Sequence, residues 1–309
     1  MTLRLIKKAF ERDIGKEAVS IHPCKNQIFN HNNVFKIETQ DRPYILKLYH
    51  SPGYPEEGKM LLVSEKLAEH SISHARIYSC NRGDDIFPNG YIIEEYLPGI
   101  PADRLDLDEK ETCGLYKKLA LLMSEIHQIK FANYGFIEHG APECATFTEH
   151  IENNFIYGPN RMREAYSDAE LSRIKRVLVE KLRPCDEMQP CLCHIDIQLK
   201  NILINDGNIT LIDWDDARAF PGIVDIARLT LLIELAYDNV KPENPERAAT
   251  YKRAFLDHYK SDDGLKTYRE LEPALHVWHG LVLLNFCAAQ TPQFGKIKSA
   301  LDEKIERLR

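Results

Sequence analysis

Apolar and polar residues alternate with a period of two along much of the first hundred positions and with a period near 3.6 along most of the remaining two hundred. Val34, Phe35 and Ile37 lead into a polar turn, Gln40-Asp41-Arg42-Pro43, from which Tyr44-Ile45-Leu46-Lys47-Leu48-Tyr49 returns. The pattern predicts an antiparallel hairpin over residues 26–50. Met60, Leu61, Ser64 and Leu67 then recur near helical spacing within residues 55–70. Two further strands are expected at 75–79 and 90–96, on either side of the turn Asn81-Arg82-Gly83-Asp84-Asp85. Pro98-Gly99-Ile100-Pro101 interrupts this sheet material and is the natural hinge. Beyond it, Leu115, Leu119, Leu122, Met123 and Ile126 share one helix face, and Leu171, Ile174, Leu178 and Leu182 share another. Helical spacing resumes after residue 225 and again at 275–289. The clear β signal in this larger part is a pair of apolar runs, Ile202-Leu203-Ile204 and Ile209-Thr210-Leu211-Ile212, around Asp206-Gly207. The chain is therefore expected to be α+β and bilobal. Residues 1–97 form a small β-rich lobe with one main helix, and residues 98–309 a larger, mostly helical one.

Composition narrows the classes of function. With 309 residues, 44% of them hydrophobic, the chain can bury a substantial core. Lys and Arg number 40 against 47 Asp and Glu, a formal charge of -7, which argues against sequence-independent binding to nucleic acid or an anionic membrane. The same balance suits a cationic small ligand. The longest apolar runs, 229–236 and 280–289, are broken by Glu234 and Asn285, and the first eight residues lack the apolar segment of a secretion signal. A cytoplasmic protein, monomeric or homodimeric, is expected. Eight scattered cysteines do not resemble a disulfide scaffold, so reduced thiols are expected. Cys191-Leu192-Cys193-His194 offers three soft donors, but no second ligand pair stands at zinc-site spacing and the segment runs into apolar sequence. Its cysteines read as core.

The chemistry concentrates at the ends of the second hairpin. His194-Ile195-Asp196-Ile197-Gln198-Leu199-Lys200-Asn201 enters it, and Asp213-Trp214-Asp215-Asp216 leaves it. Antiparallel pairing predicts Asn201 and Asp213 side by side at its base, with Asp196 one short loop away, a set of oxygen donors suited to Mg²⁺. In the first lobe, Lys47 between Leu46 and Leu48 calls for an anionic partner. Taken singly, acids beside a turn are common turn formers, and a lysine in a strand also protects a sheet edge.

Together these motifs are more specific. His194-x-Asp196-x4-Asn201, Ile212-Asp213-Trp214-Asp215 and Asp225-Ile226-Ala227, with Lys47 on an upstream strand, resemble the aminoglycoside phosphotransferases and their relatives, the choline, homoserine and methylthioribose kinases. The resemblance implies a protein-kinase-like fold and an ATP- and Mg²⁺-dependent kinase, GTP being the alternative nucleotide. Such enzymes work chiefly by positioning and by neutralising phosphate charge. By carry-over, Asp196 accepts or orients the acceptor's hydroxyl proton, Asn201 and Asp213 hold Mg²⁺, and Lys47 contacts the α- and β-phosphates. The backbone at Glu95 and Leu97, in a hinge at 94–99, reads the base. His194 braces the loop and Asp225 fixes it. Three positions depart from the family's pattern. No glycine occurs in 26–33, so Asn30, Asn32 or Asn33 is expected to take its place, with Asn33 at the cofactor. Met60 stands where the lysine's glutamate belongs, so Glu57, one turn earlier, is expected to pair with Lys47. Ile195 replaces a small residue. The implied acceptor is a small, cationic molecule, an aminoglycoside antibiotic first, as in resistance enzymes. Asp215, Asp216, Glu234 and Asp238 are acids able to meet its ammonium groups. The alternatives are a choline, homoserine or sugar kinase, or a nucleotide-binding pseudokinase.

Overall fold

The computed structural model describes residues 3–24, 32–51, 56–138, 141–156, 158–235 and 245–308. The chain divides into two compact units, one of Met1–Gly99, Glu138–Ala141 and Thr210–Asp215, the other of Ile100–Ile137, Pro142–Ile209 and Asp216–Arg309. The first contains α1 (Leu3–Ile14), β1 (Ser20–Pro23), β2 (Asn32–Glu38), β3 (Pro43–Tyr49), α2 (Glu57–Glu69), β4 (Ile77–Asn81) and β5 (Tyr91–Glu95). Its five strands form one antiparallel sheet in the order β1-β2-β3-β5-β4.

Alternation along β3 decides what this unit buries. Tyr44, Leu46 and Leu48 turn to a core closed by Ile6, Ala9 and Phe10 of α1, with Phe10 and Tyr44 edge to face at 5.2 Å. Lys47 therefore points to the opposite face. The expectation of one main helix misses α1, whose Ile6, Ala9 and Phe10 are spaced for a single helix face and are all fully buried. Helix α2 starts at an N-cap, Glu56, whose carboxylate accepts the Lys59 backbone N–H, and it buries Lys59, Met60, Val63 and Leu67. The expected asparagine turn lies largely outside the described residues. Asn32 and Asn33 are ordinary strand residues of β2, and neither has a positive φ.

The second unit and the segments between hold β6 (Ile100–Pro101), α3 (Glu109–Ile126), β7 (Tyr134–Glu138), β8 (Ala141–Cys144), α4 (Phe147–Asn154), α5 (Asp168–Lys181), β9 (Cys191–Cys193), β10 (Ile202–Asn205), β11 (Asn208–Leu211) and β12 (Arg218–Phe220). Four helices close the chain: α6 (Ile223–Glu234), α7 (Pro245–Leu256), α8 (Asp262–Phe286) and α9 (Pro292–Arg307). Capping boxes at Asp108/Glu111 and Ser167/Glu170 set where α3 and α5 begin. Strand β12 pairs with β9, and β10 turns through Asp206 (φ 48°) and Gly207 (φ 78°) into β11, the left-handed pair that a two-residue hairpin loop requires. Helix α8 starts thirteen residues earlier than the apolar spacing suggests and accommodates Pro273 in its interior. Among the described residues no helix is long and apolar enough to cross a membrane.

Candidate active site

Two clusters of polar side chains stand out, one in each unit. In the first, strand pairing places Ile45 opposite Glu94 and Lys47 opposite Ile92, so Lys47 and Glu94 are diagonal neighbours on one sheet face. The Lys47 ammonium lies 3.2 Å from Glu94 Oε1, 3.2 Å from Asp213 Oδ1 and 3.8 Å from Asp215 Oδ1. Asn32 Nδ2 donates to Asp215 Oδ2 at 2.9 Å, and the ammonium of Lys59 donates to the Asp215 carbonyl. Burial alone would lower the Lys47 pKa, but Glu94, Asp213 and Asp215 outweigh it and keep the lysine charged. Burial pushes Glu94 up against the pull of Lys47, and pushes Asp215 up to about 7. Asp213 is held at φ 68°, a conformation that costs a non-glycine residue about 1–2 kcal/mol. Three carboxyl groups thus face the ammonium groups of Lys47 and Lys59, the latter acting on Asp215 as well as donating to its carbonyl. That donor chemistry fits a hard divalent cation.

In the second unit, residues 194–201 form a loop ending in a single turn of 3₁₀-helix, Leu199–Asn201. The Asp196 carboxylate accepts from Asn201 Nδ2 at 2.8 Å and from the Gln198 side-chain amide, and Lys200 Nζ lies 3.5 Å away. Asn201 Nδ2 also donates to the Asp196 carbonyl at 2.9 Å, so the amide nitrogen is committed and Oδ1 is the atom left to meet a cation. Beneath the loop, Asp225, 1% exposed, accepts the His194 N–H on Oδ2 at 2.7 Å and the Ile195 N–H on Oδ1 at 2.8 Å. His127 Nε2 lies 3.3 Å from the same Oδ2, and its Nδ1 meets the Tyr259 hydroxyl at 2.6 Å. This clamp holds Ile195 at φ 68°, unusual for a β-branched residue and the physical reason a small residue suits this place. Gly222 is required here by close approach. A Cβ at that position would stand 2.7 Å from His127 Nδ1.

The structure relocates several expected residues. Glu57 does not serve Lys47: its carboxylate pairs with Arg82, while the carboxylates at Lys47 are Glu94, Asp213 and Asp215. The glutamate comes from β5 because the sheet brings Glu94 diagonally to Lys47, whereas the buried face of α2 presents Lys59 and Met60. Asn33 sits opposite Leu48 in the ladder and takes no glycine-like turn. Asp215 is buried in the lysine cluster, so it does not face outward as an acceptor-binding acid. Glu234 accepts from cations of its own unit, Lys252 and, at 2.8 Å, Lys304, and against the upward push of burial His276 and these lysines hold its carboxyl down at about 2. Asp216 is half-exposed, with Arg218 3.5 Å away, and Asp238 lies outside the described residues. Glu95 ends β5 with its N–H donated to the Arg76 carbonyl, and Leu97 lies beyond the strand end. Sequence reasoning missed Glu94, Lys59, Gln198 and Lys200. Alternation alone puts Glu94 on the Lys47 face once β3 and β5 are paired. Nothing in the local pattern announces Lys59.

Comparison with known proteins places the chain. Among solved structures, the aminoglycoside phosphotransferase APH(4)-Ia is similar over 99% of both chains, at 15% identity and a TM-score of 0.73. A putative fructosamine-3-kinase from Haemophilus somnus is similar over 99% of this chain and 97% of its own, at 13% identity and a TM-score of 0.62. The Plasmodium vivax ethanolamine kinase is similar over 93% of this chain and 81% of its own, at 15% identity and a TM-score of 0.61. At these identities the likeness establishes the protein-kinase-like fold. No curated protein matches the sequence. The sequence profile of the Phosphotransferase enzyme family does match, over residues 29–271, and the chain belongs to that family.

Proposed function

We propose that this phosphotransferase is an ATP- and Mg²⁺-dependent kinase acting on a hydroxyl of a small, polar, cationic molecule, with an aminoglycoside as the first acceptor class. The observation that carries the reading is the buried ammonium of Lys47 among Glu94, Asp213 and Asp215, a charge arrangement that a folded protein has little reason to bury unless phosphates and a cation complete it. The similar APH(4)-Ia variant was crystallised with ADP and hygromycin B, which supports both the nucleotide and the acceptor class.

In this reading residues 1–97 are the nucleotide-binding lobe and residues 98–309 the catalytic and acceptor-binding one. Lys47 contacts the α- and β-phosphates, with Glu94 fixing its side chain. The carbonyl of Glu95 and the backbone of Leu97 read the adenine edge. Asp213 and Asn201 Oδ1 hold Mg²⁺. The cation's chemistry is to neutralise charge building on the transferred phosphoryl group. Asp196 orients the acceptor hydroxyl and takes its proton, and the Asn201 amide and Gln198 hold that carboxylate in place. Lys200, 3.5 Å from Asp196, supplies positive charge beside the phosphoryl group in transit.

The test is ATP consumption with Mg²⁺ across hygromycin B, other aminoglycosides, ethanolamine, choline and a fructosamine, each with wild type and Asp213→Ala. Acceptor-stimulated turnover that Asp213→Ala abolishes is expected. Nucleotide binding without turnover on any acceptor identifies a pseudokinase, and full activity in Asp213→Ala refutes the cation assignment.

A further inference from the structure

Beneath the catalytic loop lies a group of donors that phosphoryl transfer does not use. Cys191 and Cys193, two apart on β9, turn the same way from the strand while Leu192 turns the other, and all three are at most 1% exposed. His127, from the end of α3, faces them. One ligand atom from each of Cys191, Cys193 and His127 lies within 4.8 Å of the others. The sequence could not show this grouping, because the third donor stands 64 positions before Cys191.

Buried cysteines are often just small apolar side chains. Two features set this pair apart. Both sulfurs are turned to one backbone carbonyl, that of Phe220, at 3.3 and 3.4 Å, and so already occupy a polar niche. The nearby ammonium, Lys130 Nζ, donates to the His127 carbonyl at 2.6 Å and acts on Cys191 and His127 through space, without a hydrogen bond to any of the three donor atoms. The contrast is with the other metal-like group in the described residues, Glu234, Glu272 and His276, whose carboxylates already carry Lys252 and Lys304. There the cation's place is filled by protein. At the Cys–Cys–His group no described lysine or arginine bonds a donor atom.

We infer that Cys191, Cys193 and His127 form a closed site for one thiophilic cation of the Zn²⁺ and Cd²⁺ class. Two thiolates and an imidazole are the donors such ions select, and they exclude Mg²⁺, which takes oxygen. Filling the site acts on the catalytic loop. Both His127 nitrogens are engaged, one by Tyr259 and one by Asp225, and the ring cannot become a ligand and keep both bonds. Asp225 carries the backbone of His194 and Ile195, two and one residues before Asp196. A cation taken on His127 Nε2 displaces the Asp225 bond and so loosens the clamp under Asp196. This last step rests on the phosphotransfer reading above; the site itself does not.

The test uses the full-length, reduced protein, held with Cd²⁺ long enough for buried groups to exchange and then dialysed to equilibrium. Bound cadmium is counted and thiolate-to-metal charge-transfer absorbance recorded. Wild type is expected to take one equivalent tightly with the absorbance of two thiolates. Cys191→Ala and Cys193→Ala are each expected to bind at least about 10–100-fold more weakly, on the scale of losing even an outer partner of a metal site. Cys144→Ala, a buried cysteine elsewhere, binds as wild type. Cadmium NMR of the unsubstituted protein reads sulfur coordination directly, so the inference stays testable if a variant fails to fold. No tight cadmium in wild type, or absorbance that survives both substitutions, overturns the site. ATP turnover measured in the same titration is expected to fall in step with the absorbance. A filled site with unchanged turnover overturns the coupling alone.

Discussion

Removing the Asp225 carboxylate tests how the catalytic loop is held. Its two oxygens accept two buried backbone N–H groups at 2.7 and 2.8 Å and face His127 at 3.3 Å. In Asp225→Ala these groups lose their partner inside a site that is 1% exposed. Each buried donor left unsatisfied costs about 1–3 kcal/mol, so the three together cost roughly 3–9 kcal/mol. Part of that is recovered because Ile195, no longer clamped at φ 68°, relaxes and returns about 1 kcal/mol. A net loss of about 2–8 kcal/mol is a large share of a domain's typical stability of about 5–15 kcal/mol. At about 2–4 °C per kcal/mol for a protein of this size, the melting temperature falls by about 4 °C or more. The assay is thermal unfolding by circular dichroism beside steady-state kinetics. Catalysis should suffer through kcat more than KM, because the displaced group is the loop carrying Asp196 and not the nucleotide contacts. Ile195→Gly supplies an internal control: it removes strain that exists only while the clamp is intact, so it stabilises the wild-type background more than the Asp225→Ala background. Melting within about 1 °C of wild type, with kcat intact, refutes the clamp.

Further outcomes come from the same geometry. Glu94→Gln leaves Lys47 with Asp213 and Asp215 and should weaken ATP binding and lower kcat/KM about tenfold or more, whereas Glu57→Gln, whose partner Arg82 is largely exposed, should change both less than about twofold; nucleotide titration of the two variants reverses the assignment if Glu57 proves the more damaging. Burial and the nearby charge of Arg218 hold the His150 pKa down at about 3, against 6.5. A depressed folded pKa gives stability that is present above 6.5 and lost as pH falls toward 3, amounting to about 2 kcal/mol by pH 5. Denaturant unfolding at about pH 8 and about pH 5 should show that His150→Gln removes about that much of the pH dependence, and an unchanged dependence refutes it. Gly222→Ala, placing a Cβ 2.7 Å from His127, should destabilise by about 1–3 kcal/mol and lower kcat with it; a neutral effect on melting contradicts the close packing.

Legible in the sequence is what local pattern controls. The β10–β11 turn is readable because Asp-Gly is one of few pairs that supply two left-handed residues, and Lys47 is readable because a charge inside an alternating strand demands a partner. The partner itself is not readable from α2. It depends on how β3 and β5 align, and the lysine's neighbour is diagonal across that pairing, 47 positions away. Helix α1 is less conspicuous because its basic opening residues resemble the start of a leader, although Ile6, Ala9 and Phe10 already lie on one face. Glu234 reads as an exposed helix acid until α7 and α9 bring Lys252 and Lys304 to it. The Cys191, Cys193 and His127 grouping lies furthest from local pattern, since distant segments meet only through packing of β9 against the end of α3.

The central claim is that this chain moves the γ-phosphate of ATP to a small-molecule hydroxyl with Asp196 at the acceptor. The measurement that meets it most directly is transfer of label from γ-labelled ATP to hygromycin B and the other candidate acceptors, in Mg²⁺, by wild type and by Asp196→Asn. The account predicts labelled acceptor from wild type and a rate lower by about 10²–10⁴ in the variant, with nucleotide affinity retained. Label that reaches no acceptor, or reaches one equally fast without the Asp196 carboxylate, contradicts it.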